Sequence, residues 1–167
     1  MSRVARYHAD RTNQKLYFVR LACQQAEKTT NAQQAQGEQE AAVFHLQGAL
    51  IAFLQELARY YKLDDAKPSI SSIKEKMAMR EQVSPEITVL EQYSQSGFLM
   101  SLNRAYMACQ YAPEPPTPMP EDEASSQLIL KVTQGMQSWL PDVVMIKEWH
   151  SELTQLIEGF RNQMVEF

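Results

Sequence analysis

The sequence predicts an all-α fold, a four- or five-helix bundle with a proline-rich strap before its C-terminal helix. Three observations point there. Apolar residues recur at spacings of three and four along most of the chain, which is the period of a helix with one buried stripe. Helix-favouring Gln, Glu, Ala, Leu and Met are abundant, and only 5 Gly occur in 167 residues. Prolines are gathered rather than scattered, five of the 8 falling between Ala112 and Ser126, so long stretches are free of the residue that breaks helices. A chain of 167 residues is the length of one domain with one core.

The first helix is expected from about Asp10 to Lys28, where Leu16, Val19, Ala22, Cys23 and Ala26 form the apolar stripe. TTNAQQAQG, Thr29 to Gly37, loses the pattern and ends in glycine, so a connection is placed there. The second helix runs from about Glu38 to Lys62 and stops at DDAKPS, because Pro68 disfavours helical geometry at Lys67. A shorter helix spans Ile70 to Gln82. Ser84 then caps a fourth, with Pro85 at its first position, and Gly97 breaks it before a stripe resumes to about Tyr111. Ala112–Ser126 reads as an extended surface strap. QLILKVT, residues 127–133, alternates like a strand yet lacks a partner strand, so strand and helical turn both stay open. The last helix, about Asp142 to Glu166, carries Ile146, Trp149, Leu153, Leu156 and Phe160 at alternating three- and four-residue spacings, the seam of nearly parallel packing.

The second helix holds the one polar feature worth singling out. At about 100° per residue, Ala41, Ala42, Gly48, Ala49, Ala52, Glu56, Arg59 and Tyr60 lie within about 60° of His45. The bulky residues Val43, Leu46, Leu50, Leu54 and Leu57 gather on another side. The thin stripe lets a neighbour approach closely, which is a reason to accept Gly48 inside a helix. A shielded imidazole then needs a hydrogen-bond partner from another helix: Asn13, Tyr17 or Arg20 from the first, or Gln95, Asn103 or Tyr106 from the later segment. Phe44 and Ile51 fall near 240° to 260°, beside Gln47, Gln55 and Lys62, where solvent is expected. They are the candidate interface.

Several classes of function are disfavoured. The net charge of -4 gives no overall attraction to nucleic acid; the one basic stretch is Arg3, Arg6, Arg11, Lys15 and Arg20, read first as a solvated helix face. The N-terminal MSRVARYHADRT has no continuous apolar core of the kind a signal peptide needs. The greasiest segment, Ala41 to Leu54, is shorter than the roughly 20 residues of a membrane crossing, and the protein is expected in the cytoplasm. Cys23 and Cys109 lack CxxC or Cys/His spacing and read as reduced, core-facing thiols. His8, His45 and His150 are scattered without the Glu-x-x-His pattern of helical metal sites, and no P-loop, GxGxxG or GxSxG occurs. No cofactor is predicted.

RTNQKLYFVRLACQQAE, VFHLQGALIAFLQELARYY and EWHSELTQLIEGFRNQM together resemble an uncharacterised family of short proteobacterial proteins, a domain of unknown function. The resemblance implies a bacterial, cytoplasmic, all-helical protein and carries no catalytic or binding residues. A bundle-level similarity links the chain to HEPN-type proteins, whose active members place four to six residues between an Arg and a His; RVARYH, Arg3 to His8, has that spacing but lies at the N-terminus instead of a late helix.

The leading expectation is a non-enzymatic interaction or adaptor protein that works through a helix surface bearing Phe44 and Ile51, as a homodimer or with another protein. The rival is a small-molecule or enzymatic pocket at His45, with Glu56, Arg59 and Tyr60 at its mouth. A third is weak nucleic-acid binding through the basic N-terminal stretch.

Overall fold

The structure, a computed structural model, describes residues 3–111 and 140–165, with side chains over 9–111 and 140–164. The fold is all-α. Among the described residues there are six helices: α1 (Arg3–Lys28), α2 (Ala32–Tyr60), α3 (Ile70–Ala78), α4 (Pro85–Ser96), α5 (Phe98–Gln110) and α6 (Val143–Val165). The bundle proper is α1, α2, α5 and α6, with α2 touching the other three, while short α3 and α4 carry the chain from α2 to α5. The strap at Ala112–Ser126 and the ambiguous segment 127–133 lie outside the described residues.

One side chain pattern explains the arrangement. Val19 and Cys23 of α1, Leu46, Phe53 and Leu57 of α2, Leu102 of α5 and Ile146, Leu153 and Ile157 of α6 are all buried in one core. The Phe53 and Phe160 rings stack at 5.9 Å across the α2–α6 contact. Burying a large apolar side chain stabilises by roughly 1.5–3 kcal/mol, so this shared core sets the order of the helices. In α2 an 18-residue window reaches a mean hydropathy of 1.4, enough by length and composition for a membrane crossing, yet 56% of that window is buried inside the bundle. Its apolar surface is largely committed to the core.

Helix ends depart from expectation where local capping beats composition. Asn31 Oδ1 accepts the Gln34 backbone N–H at 3.1 Å, so α2 starts at Ala32 and not near Glu38. Gly37 is thereby drawn inside the helix instead of ending a loop. α1 also starts earlier, at Arg3. α3 stops at Ala78 and not Gln82, because the chain turns at Glu81, whose φ is 55°. Ser84 and Pro85 open α4 as the sequence predicts, the Ser84 hydroxyl accepting from the Ile87 N–H at 3.2 Å. Gly97 both ends α4 and caps α5, and a Cβ there would lie 2.6 Å from Tyr93 Cδ1 and 3.0 Å from Tyr93 Cα. Close approach, not a left-handed backbone, is what requires glycine.

The end of α2 is tied down by polar contacts. Arg80 donates to the Tyr61 and Lys62 carbonyls at 2.9 and 3.1 Å, satisfying acceptors that the helix terminus leaves open. Glu86, buried in the first turn of α4, accepts from Tyr61 Oη and from Ser84 Oγ, the latter at 2.7 Å. Burial, reinforced by the bond to Glu86, pushes the Tyr61 phenol up to about 12.

Candidate functional site

His45 lies on the α1-facing side of α2, half-buried, and its neighbours are rings. Phe18 of α1 stands 5.1 Å away and Phe44 5.6 Å away, centroid to centroid. Its Nδ1 is buried without a hydrogen-bond partner among the described residues. Burial, then the charges of Lys15 and Arg11, hold its pKa below the ordinary histidine value. Its neutral form is thereby favoured, and the ring packs as an aromatic plate beside Phe18 and Phe44. The close approach expected at Gly48 is made by a side chain: a Cβ there would meet Lys15 Cδ at 3.3 Å and Cε at 3.4 Å. From there Lys15 Nζ reaches over the Phe44 ring, 5.5 Å from its centroid.

The other residues of the predicted polar stripe go elsewhere. Glu56 turns to α6, where Arg161 Nε donates to its Oε2 at 3.0 Å and Nη2 to its Oε1 at 2.6 Å. Thr12 Oγ1 donates to the same carboxylate, and Arg161 Nη1 donates to Asn13 Oδ1 at 2.9 Å. This network clamps α1, α2 and α6 at one level. Arg59 is exposed, and Tyr60 is exposed with its ring edge-on to Tyr61 at 4.9 Å. His45, Glu56, Arg59 and Tyr60 thus share a line on α2 without forming one pocket. Asn13, named as a partner for His45, serves Arg161 instead.

The outer face of α2 is different in character. Phe44 is 49% exposed and Ile51 47% exposed, although the helix is otherwise buried through Val43, Leu46, Leu50, Phe53 and Leu54. Seven residues separate them, so they sit two turns apart on one line, roughly 10 Å along the axis. Tyr106 of α5 flanks Phe44 at 6.5 Å. Further along the same face is a hollow of about 300 Å³ lined by Gln55, Ala58, Arg59, Leu63, Asp64 and Asp65. Gln47, between Phe44 and Ile51, has a buried carbonyl oxygen with no hydrogen-bond partner among the described residues.

Chemistry elsewhere is weakly equipped. A second hollow of about 230 Å³ lies between α1 and α6, with Arg20, Cys23, Lys147 and His150 on its walls. His150 Nε2–H donates to the Leu16 carbonyl at 3.0 Å, Lys147 pairs with Glu27, and burial pushes the Cys23 thiol up. A raised thiol is a poor nucleophile. Cys109 is half-buried and pushed up to about 11, chiefly by burial. No group of three His, Cys, Asp or Glu converges on an ion-sized point among the described residues. Of the basic N-terminal stretch, Arg11 donates to Gln14 at 2.6 Å, Lys15 covers Phe44 and Arg20 is exposed. The side chains of Arg3, Arg6 and His8 lie outside the described residues.

Sequence periodicity locates Phe44, Ile51 and His45 but misses Arg161 and the hollow at Ala58. Arg161 is 105 residues from Glu56, and its only local signal is its place beside Phe160 on the edge of the α6 seam. The hollow depends on how the chain leaves α2, which no helical period encodes.

Neither a curated protein nor a solved structure matches the chain. A family model does, over residues 7–167, and the chain belongs to that family of unknown function, DUF6586.

Proposed function

We propose that the protein is a non-enzymatic interaction protein whose working surface is the outer face of α2, and that this face pairs with a second copy of the chain. The observation that carries the reading is the exposure of Phe44 and Ile51, 49% and 47%, on one line of a helix whose central stretch is otherwise buried through Val43, Leu46, Leu50, Phe53 and Leu54. Covering both would remove apolar surface from water at roughly 25 cal/mol per Å². Aromatic anchors of this kind dominate the energetics of protein interfaces. A ligand pocket at His45 has less support, since Phe18 and Phe44 crowd the ring and both hollows lie elsewhere.

The test is light scattering on wild type and on the Phe44→Ser/Ile51→Ser double variant. Wild type is expected to scatter as a dimer and the variant as a monomer with unchanged helix content by circular dichroism. A wild type that stays monomeric at high concentration overturns the reading.

A further inference from the structure

Two copies of one surface can pair about a two-fold axis only if that surface complements itself when reversed. The outer face of α2 has this property about one residue, Ile51. At about 100° per residue, Glu40, Phe44, Gln47, Ile51, Gln55 and Ala58 fall within roughly 80° of one another on the helix circumference. Lys62, exposed, stands just beyond the Tyr61 cap.

Reversing the line about Ile51 sets Gln47 opposite Gln55 and Phe44 opposite Ala58, and it brings Glu40 to the end of the partner's α2, where Lys62 stands just past the helix with φ 53°. Each pairing joins compatible chemistry. Two carboxamides can exchange donor and acceptor, which gives the Gln47 carbonyl, unpartnered in the single chain, a donor once its amide turns outward. Acid meets base at both ends. The decisive match is one of shape: the half-exposed Phe44 ring meets the hollow of about 300 Å³ over Ala58, whose walls also carry Gln55, Arg59, Leu63, Asp64 and Asp65. A cavity of roughly 150 Å³ accepts a benzene ring, so there is room. Arg59, on the wall of that hollow and without a carboxylate partner among the described residues, is placed to face an incoming ring.

From this self-complementarity we infer that α2 pairs antiparallel with the α2 of a second copy about a two-fold axis at Ile51, Phe44 of each seating in the partner's hollow at Ala58. The inference rests on the homodimer reading and adds its register and its receiving site. A parallel pairing would set Glu40 against Glu40 and leave the hollow unfilled.

The test uses full-length chains in a Cys109→Ser background. Ile51→Cys is expected to form a covalent dimer under mild oxidation, because the two copies of position 51 meet at the axis. Glu40→Cys is expected to form none alone but a mixed disulfide with Lys62→Cys. In sedimentation, Glu40→Lys and Lys62→Glu should each weaken the dimer by about tenfold, as two opposed pairs per dimer become like-charged, and the combined swap should restore it. Self-crosslinking at Glu40→Cys, or a dimer indifferent to the charge changes, overturns the register and leaves the α2 interface standing. A wild type that does not dimerise overturns both.

Discussion

Arg161 of α6 grips Glu56 of α2 with two parallel hydrogen bonds, Nε to Oε2 at 3.0 Å and Nη2 to Oε1 at 2.6 Å. The side chains are 23% and 9% exposed, so water screens the pair only in part. A two-pronged guanidinium–carboxylate contact in that setting fixes orientation as well as adding attraction. Because Thr12 and Asn13 of α1 bind the same two groups, one contact aligns three helices.

Removing one member leaves the other charge stranded. Arg161→Leu is expected to destabilise the fold by about 2–4 kcal/mol, a little under the roughly 3–5 kcal/mol for a fully buried pair because the Arg161 side chain is 23% exposed. Urea unfolding measures it. Replacing both residues with apolar ones, Glu56→Leu with Arg161→Met, should cost less than Arg161→Leu alone, since no unpaired charge remains. A double variant whose cost equals the sum of the two single costs would mean that the residues act independently of one another.

Gly37 and Gly159 differ from Gly97 in kind, and thermal unfolding distinguishes them. Gly37 and Gly159 lie within helices with nothing within 4 Å of a built Cβ, so Gly→Ala at each should stabilise by about 0.4–1 kcal/mol through a less flexible unfolded chain. Gly97→Ala should do the reverse by more than about 1 kcal/mol, because its Cβ would press on the Tyr93 backbone at 3.0 Å.

His45 gives a pH dependence. Its folded pKa is depressed by burial and by Lys15 and Arg11, so the folded state binds the proton less readily than the unfolded chain. Its stabilising contribution is present above the ordinary value of 6.5 and is lost as pH falls below it toward the folded value. His45→Phe keeps a ring between Phe18 and Phe44 and removes the unpartnered Nδ1. The variant should be as stable as wild type or up to about 2 kcal/mol more stable at pH 7, and should lose less stability between pH 7 and pH 5. Denaturant midpoints at the two pH values check both statements. His150, also depressed by burial, acts in the same direction.

The helices were legible because a buried stripe repeats with the helical period: Leu16, Val19, Cys23 and Ala26 in α1, and Ile146, Trp149, Leu153 and Phe160 in α6, are all buried as their spacing implies. Caps were legible where sequence is decisive, as at Ser84 and Pro85, and not where a single Asn31 outweighs a Gly37 six residues on. The site was legible only within one helix. Angles on α2 place Phe44 and Ile51 outward, but nothing in a helical period says that Glu56 will meet Arg161 or that Gly48 will receive Lys15. Those contacts join residues far apart in sequence and depend on how the helices cross. The self-complementary line about Ile51 needed both, the angles from the sequence and the hollow at Ala58 from the fold.

Sedimentation equilibrium of the wild-type protein from micromolar to millimolar concentration tests the role of the α2 face most directly. Self-association through Phe44 and Ile51 predicts a mass that rises with concentration toward twice the 19.2 kDa chain, and Ile51→Asp should abolish that rise. A single 19.2 kDa species across the whole range would contradict it.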